Sequence, residues 1–232
     1  MAQMEIAVIL FAYKRPRYLK KCLKSIKDAY RGDVAHHYYA FIDYSWMQDK
    51  IAKMIRNSEI FGRIIKREKR YGLNRNIIEG INEIFKTYDA VIVIEDDLVL
   101  DPISLTYLRI QLMKYGEDKK IGHINLEGNF PSSHGWAIWK DRWDKIDWDL
   151  ISNEKNGDSW DIILRNNIVK LGWQTIGKNM VTHIGNIGEH YNPLSRFGIR
   201  KHFREWKEDY YRDKDLLMVK ENFLTKLYRL FL

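Results

Sequence analysis

The chain has 232 residues, 45% hydrophobic and 30% charged, which excludes a disordered chain and allows one sizeable core. Its single cysteine excludes a disulfide framework and any cysteine-based zinc cluster. Lys and Arg number 39 against 31 Asp and Glu, so the net charge is +8 and the partners it suits are anionic: nucleotide phosphates, nucleic acid or an acidic membrane face.

The opening MAQMEIAVILF lacks a basic n-region and a small-residue cleavage site. No apolar run reaches the ~20 residues of a membrane helix. The sequence therefore predicts a cytoplasmic protein, at most peripheral on the inner face of a membrane. Ile6–Phe11 is apolar and β-branched, a strand buried on both faces. Tyr13-Lys14-Arg15 follows as a loop, and Pro16 suits the first turn of a helix carried by Leu19, Cys22, Leu23, Ile26 and Tyr30. Tyr38–Ile42 reads as a second strand ending at Asp43, Asp49–Asn57 as a short helix, and Arg63–Lys66 as a third strand. Gly72 and Asn74 open a helix with Ile77, Ile78, Ile81, Ile84 and Phe85 on one face, and Asn74 is its expected N-cap. Ala90–Ile94 is a further buried strand that runs into Glu95-Asp96-Asp97. Pro102 is expected to start a helix to about Tyr115, and Ile121–Leu126 to form one more strand.

This alternation predicts an α/β domain with a mostly parallel central sheet flanked by helices. Ligands in such sheets bind at the carboxyl ends of the strands, which singles out Tyr13–Arg15, Asp43 and Glu95–Asp97. The second half reads differently. Six of the eight Trp lie between 136 and 173, residues 159–171 carry a helical pattern, and His183–His190 spans the Gly-rich HIGNIGEH.

Three consecutive carboxylates after an apolar strand are electrostatically costly unless a positive charge joins them. Carboxylate oxygens suit Mg²⁺ or Mn²⁺, which complete their coordination with water and substrate phosphates; the plainer alternative is a solvated acidic turn. Tyr13 or Asp43 can stack on or hydrogen-bond a base and ribose, and Arg15 can meet a phosphate. Alternatively, Asp43 caps a turn and the cations are only solvated. In YGLNRN, residues 71–76, a glycine and a helix N-terminus offer backbone N–H groups to an anion, and Arg75 adds a charge.

Taken together, FAYKRP at 11–16, FIDYS at 41–45, GLNRNIIEGINEIF at 72–85, VIVIEDDLVLDP at 91–102 and HGWAIWKDRW at 134–143 resemble the GT-A fold of nucleotide-sugar glycosyltransferases. The EDD form is similar to the N-acetylglucosaminyltransferase I-like branch and to bacterial surface-polysaccharide sugar transferases. The resemblance spans roughly residues 5–190. It implies a Rossmann-like GT-A domain over residues 1–200 and leaves 201–232 as a basic, aromatic helical extension. It implies Asp97 as the metal ligand for Mn²⁺ or Mg²⁺, with His190 as second ligand and His183 as a competitor more readily explained as structural. Glu95 and Asp96 would face the ribose and donor sugar, Asp43 and Tyr13 the nucleoside, and Arg15 and Arg75 the diphosphate. Asp158 in NGDSWD is the first candidate for general base, ahead of Asp161 and Glu127; its alternative is an ordinary helix cap. Among the tryptophans, Trp136 is the expected wall of the site.

The reaction so implied moves a sugar from a nucleoside diphosphate sugar, UDP-linked by default, to an acceptor hydroxyl with inversion. The acceptor would be glycan, lipid-linked or protein-linked, and no nucleic acid is expected. A sugar-phosphate nucleotidyltransferase is one alternative, opposed by the absence of glycine in the loop after the first strand. A non-catalytic basic binding module is another, and it has no need of a carboxylate triplet. The C-terminal extension mixes Lys and Arg with Phe, Trp, Tyr and Leu, a composition that suits either peripheral membrane contact or packing on protein.

Overall fold

A computed structural model describes residues 4–30, 37–148 and 159–185, and its described elements lie within the unit Met1–Ile184. The first strand, β1 (Ile6–Ala12), is buried along its whole length. Its alternate residues feed two cores. Ile6, Val8 and Leu10 face one side of the sheet, and Ala7, Ile9 and Phe11 the other. A strand with apolar residues on both faces is stable only between two layers of helix.

The chain supplies those layers as it proceeds. From β1 it passes through α1 (Pro16–Ala29) to β2 (Tyr38–Ile42), then through α2 (Gln48–Arg56) to β3 (Arg63–Lys66). It returns through α3 (Leu73–Ile84) to β4 (Ala90–Glu95) on the other side of β1. A short β5 (Leu98–Leu100), α4 (Ser104–Tyr115) and β6 (Ile121–Asn125) follow. Then come β7 (Trp136–Trp139), α5 (Lys140–Trp143), α6 (Trp160–Lys170), β8 (Gln174–Gly177) and β9 (Val181–His183). Seven strands form one sheet in the order β3-β2-β1-β4-β7-β6-β8, and β5 pairs with β9 in a second. β7 runs antiparallel to both β4 and β6; the other pairs in the large sheet are parallel.

Residues of α1, α2 and α4 pack on one face, with Leu19, Ile26, Ile51 and Leu108 fully buried. Residues of α3 and α6 pack on the other, with Ile77, Ile81 and Ile163. Gly80 lets α3 close on the sheet, since a Cβ there would lie 2.7 Å from the Phe11 ring. Trp136, Trp143 and Trp160 join this second core, Trp136 lying 5.4 Å from Trp160 and 6.3 Å from Trp143 between ring centroids. Trp136 is fully buried, so it is a core residue and not the expected wall of a site. Arg142, also buried, donates to the backbone oxygens of Gly116 and Asp118 at 2.9 and 3.1 Å. It thereby satisfies carbonyls that α4 leaves open at its end.

Two helix starts differ from the sequence reading. The N-cap of α3 is Gly72, whose φ of 78° glycine adopts without strain. Asn74 instead accepts the N–H of Trp160 at 3.1 Å, so it holds the first residue of α6. Pro102 precedes its helix by a turn, and α4 begins at Ser104, whose hydroxyl donates to the Met180 carbonyl at 2.8 Å. Among the described residues no helix is long and apolar enough to cross a membrane.

Candidate functional site

The chain leaves β1 toward β2 and β3, then comes back to β4 on β1's opposite side. That reversal makes a crevice beyond the carboxyl ends of β1 and β4, the place where open α/β sheets bind ligands. Tyr13 and Arg15 leave β1 there, and Glu95, Asp96 and Asp97 leave β4. The register pairs Phe11 with Glu95, so the two polar loops emerge side by side.

The loops are joined by charge. Arg15 Nη2 donates to Asp96 Oδ1 at 2.5 Å, and Nη1 to Asp97 Oδ2 at 2.6 Å. The Tyr13 N–H donates to Asp96 Oδ2 at 3.1 Å. The short β5 turns the chain back against β9, and the register sets His183 opposite Leu98. His183 Nε2 thereby lies 3.1 Å from Asp97 Oδ2. The Ile184 N–H also donates to the Asp97 carbonyl at 2.9 Å, which fixes this end of β9 on the triplet.

Burial and charge separate the three carboxyls. Burial, reinforced by the charge of Asp97, pushes the Glu95 carboxyl up to about 8. Burial also raises Asp96, although Arg15 opposes it. Burial acts on Asp97 as well, but the hydrogen bond from His183 and the charge of Arg15 outweigh it and bring Asp97 to about 2. Asp97 is thus the most acidic of the three. A carboxylate and a nearby imidazole make a donor set that fits Mn²⁺ or Mg²⁺, provided water and phosphate oxygens complete the shell. Among the described residues, no three His, Cys, Asp or Glu side chains are gathered for a metal. His190, expected as the second ligand, lies outside the described residues, as does Asp158.

Asp43 ends β2 one strand away. Its Oδ1 accepts the N–H groups of Tyr44 and Tyr71, both at 2.8 Å, and its Oδ2 that of Gly72 at 2.9 Å. The backbone donors expected to meet an outside anion at Gly72 therefore meet this carboxylate. Arg75 pairs with Glu79 at 2.5 Å, and its guanidinium lies 4.4 Å from the Tyr71 ring. The Tyr13 ring has Lys14 Nζ at 5.0 Å and the Arg70 guanidinium at 5.8 Å from its centre. The structure brings Tyr13, Arg15, Asp96 and Asp97 into direct contact and leaves Asp43 and Arg75 in a second cluster around Tyr71.

A further group joins Glu127, Asp161 and His183, which the sequence offered as candidates, to His134 and Ser132, which it did not. The His134 ring stacks on His183, with centroids 4.4 Å apart and planes 11° apart. His134 Nδ1 lies 2.9 Å from Glu127 Oε1, at ion-pair distance but off the line of a good hydrogen bond. The Ser132 hydroxyl donates to Glu127 Oε2. Burial would raise Glu127, but Ser132 and His134 hold it below the usual carboxylate range. Glu127 and Ser132 line a cleft of about 200 Å³ with Asp161, Leu164 and Arg165. Short-range sequence signals do not reveal the stacking of His134 on His183, because His183 is placed by the pairing of β9 with β5.

No protein-family model matches the chain, and no curated protein sequence matches it. Solved structures do. The mannosyltransferase PcManGT from Pyrobaculum calidifontis, in complex with GDP-Man and Mn²⁺, superposes with a TM-score of 0.59 at 10% identity, over 82% of this chain and 59% of its own. Glucosyl-3-phosphoglycerate synthase from Mycobacterium tuberculosis, in complex with Mn²⁺, UDP and phosphoglyceric acid, gives 0.54 at 15% identity, over 78% and 70%. S. aureus TarS 1–349 in complex with UDP gives 0.53 at 12%, over 76% and 58%. The chain thus spans little more than half the length of two of these three. Identities this low speak to architecture: this chain has the α/β fold of GT-A nucleotide-sugar glycosyltransferases, a mostly parallel sheet of seven strands flanked by helices.

Proposed function

We propose that this protein is a metal-dependent glycosyltransferase that moves a sugar from a nucleoside diphosphate sugar, UDP-linked by default, to an acceptor hydroxyl. The observation that carries the reading is the cluster of Arg15, Asp96, Asp97 and His183 in the crevice between β1 and β4. A solvated acidic turn would not bury Asp96 and Asp97 to 1% and 5% exposure. A basic binding module has no use for carboxylates held there.

When bound on Asp97, with His190 or His183 as a second ligand, a divalent cation supplies neutralisation of the diphosphate leaving group. The chain's own residues do the rest. Tyr13, flanked by Lys14 and Arg70, borders the nucleoside together with the Asp43–Tyr71 cluster. Arg15 and Arg75 lie on the diphosphate side, and a guanidinium binds phosphate oxygens in pairs. Glu95 and Asp96 face the ribose and donor sugar.

The sugar carbon gains oxocarbenium-like character as the diphosphate leaves, as in glycoside hydrolysis. A carboxylate that takes the acceptor proton on the opposite side gives inversion. Asp158 is the assigned base, with Asp161 and Glu127 as the alternatives on the cleft wall. The carboxylates and hydroxyls of that cleft suit a polyhydroxyl acceptor, free or linked to lipid or protein. Residues 201–232, outside the described part, keep their proposed membrane or protein contact.

Thermal melting with UDP, GDP and other nucleoside diphosphates, with and without Mn²⁺, tests the reading on the native chain and on Asp97→Ala. A ligand at 100 times its Kd adds about 2.7 kcal/mol, which for a chain of this size is roughly 5–10 °C. A Mn²⁺-dependent rise with one diphosphate, absent in Asp97→Ala, is the expected result. No rise with any of them would remove the donor site.

A further inference from the structure

Arg15 holds the Asp97 oxygen that a cation shared by Asp97 and His183 would use. Its two terminal nitrogens are shared between the carboxylates, one on Asp96 and one on Asp97. The Asp97 oxygen it holds, Oδ2, is the same oxygen that meets His183. A divalent ion and a guanidinium cannot both sit against that oxygen, because like charges so close repel strongly in a partly buried site. Arg15 is also able to leave. Its side chain is 26% exposed, against 1% and 7% for its two partners, so of the three it is the side chain with room to move.

We propose that Arg15 is the resident counter-ion of the Asp96–Asp97 pair, and that metal loading on Asp97 requires its guanidinium to move off that carboxylate. The proposal rests on the metal-dependent transferase reading. An exchange of partners then links the two ligands. A diphosphate in the crevice gives the guanidinium a bidentate partner at least as good as the two aspartates. Once Arg15 turns to the phosphates, Asp97 is released to the metal, and the metal in turn keeps Asp97 from recapturing Arg15. Asp97 and the guanidinium each keep an oppositely charged partner at either stage, whereas metal alone would take Asp97 from the guanidinium and diphosphate alone would take the guanidinium from Asp97. By linkage, each ligand strengthens the other by the same factor. Asp96 keeps the Tyr13 N–H throughout and preserves the loop.

Titration with Mn²⁺ alone, followed by the paramagnetic resonance signal of free Mn²⁺, tests the exchange without turnover. Arg15→Gln should bind Mn²⁺ at least tenfold more tightly than the native chain. Arg15→Lys, which keeps the charge but cannot bridge two carboxylates, should fall between them. Adding Asp97→Asn to Arg15→Gln should erase the gain. Repeating the titration with UDP or GDP should strengthen Mn²⁺ binding in the native chain far more than in Arg15→Gln. Circular dichroism confirms folding, and Arg15→Lys serves if Arg15→Gln does not fold. If Mn²⁺ binds the native chain with a nucleotide while Arg15→Gln binds Mn²⁺ alone no more tightly than native, the exchange is wrong and the transferase reading stands. If no variant binds Mn²⁺ with or without nucleotide, both fall.

Discussion

Asp43 and Asp97 are buried carboxylates at the same edge of one sheet, the first ending β2 and the second following β4. Asp43 is held by three backbone N–H groups, from Tyr44, Tyr71 and Gly72. Asp97 is held by two side chains, Arg15 and His183. Backbone donors are fixed by the path of the chain and have no other place to go. Side-chain donors turn on a few bonds and can be exchanged for a ligand. One aspartate therefore ties the loop before α3 to the sheet, and the other has partners that a ligand could replace, as the proposed function requires.

The largest expected effect separates these roles. Asp43→Asn puts an amide N–H against a donor and should cost about 2–4 kcal/mol of unfolding free energy. Asp97→Asn weakens the contacts to Arg15 and His183 but relieves repulsion from Asp96, so it should cost no more than about 1 kcal/mol. Urea unfolding of both variants at neutral pH checks the difference. Equal losses would erase the distinction between fixed and exchangeable partners.

His123 supplies a third case, a buried titratable group with neither kind of partner. It is fully buried beside Trp136, and neither ring nitrogen makes a hydrogen bond of good geometry, although the Ser132 backbone lies near. Burial pulls its pKa down to about 3. The unfolded chain takes up a proton near pH 6.5 that the native state refuses until about 3. The His123 contribution is therefore intact above pH 6.5 and is lost as pH falls toward 3. Between pH 7 and 5 the native chain should lose about 2 kcal/mol from this group. His123→Phe should lose less over the same range; an unchanged slope would show that His123 is protonated in the fold.

A smaller effect tests whether a side chain can also act as a fixed partner. Asn74→Ala removes the acceptor for the first N–H of α6 and should cost about 1 kcal/mol. Hydrogen exchange at Trp160 should rise with it. Slow exchange there in the variant would mean that another group takes the bond.

The half of the sheet around β1 was legible because its signals are local. β2 and β3 begin and end at the residues read from sequence, and β1 and β4 each run one residue further. Continuous runs of Val and Ile leave a strand buried on both faces as the economical arrangement. The carboxylate triplet stood out because it ends such a run. β5, β7, β8 and β9 were not read, since each has three or four residues and β7 is half tryptophan. The weight placed on His190 over His183 followed the family pattern, whereas the contact of His183 with Asp97 depends on two short strands 80 residues apart. Asn74 was expected to cap its own helix because capping chemistry is local, and its actual partner lies 86 residues away.

Release of nucleoside diphosphate from a panel of UDP-, GDP- and other nucleotide sugars decides whether this chain is a metal-dependent transferase. It should be measured with Mn²⁺ for the native chain, Asp97→Asn and a metal-free control. Release from one donor class, lost without metal and lost in Asp97→Asn, is the expected result. Release from no donor, or release indifferent to Asp97→Asn, would contradict it.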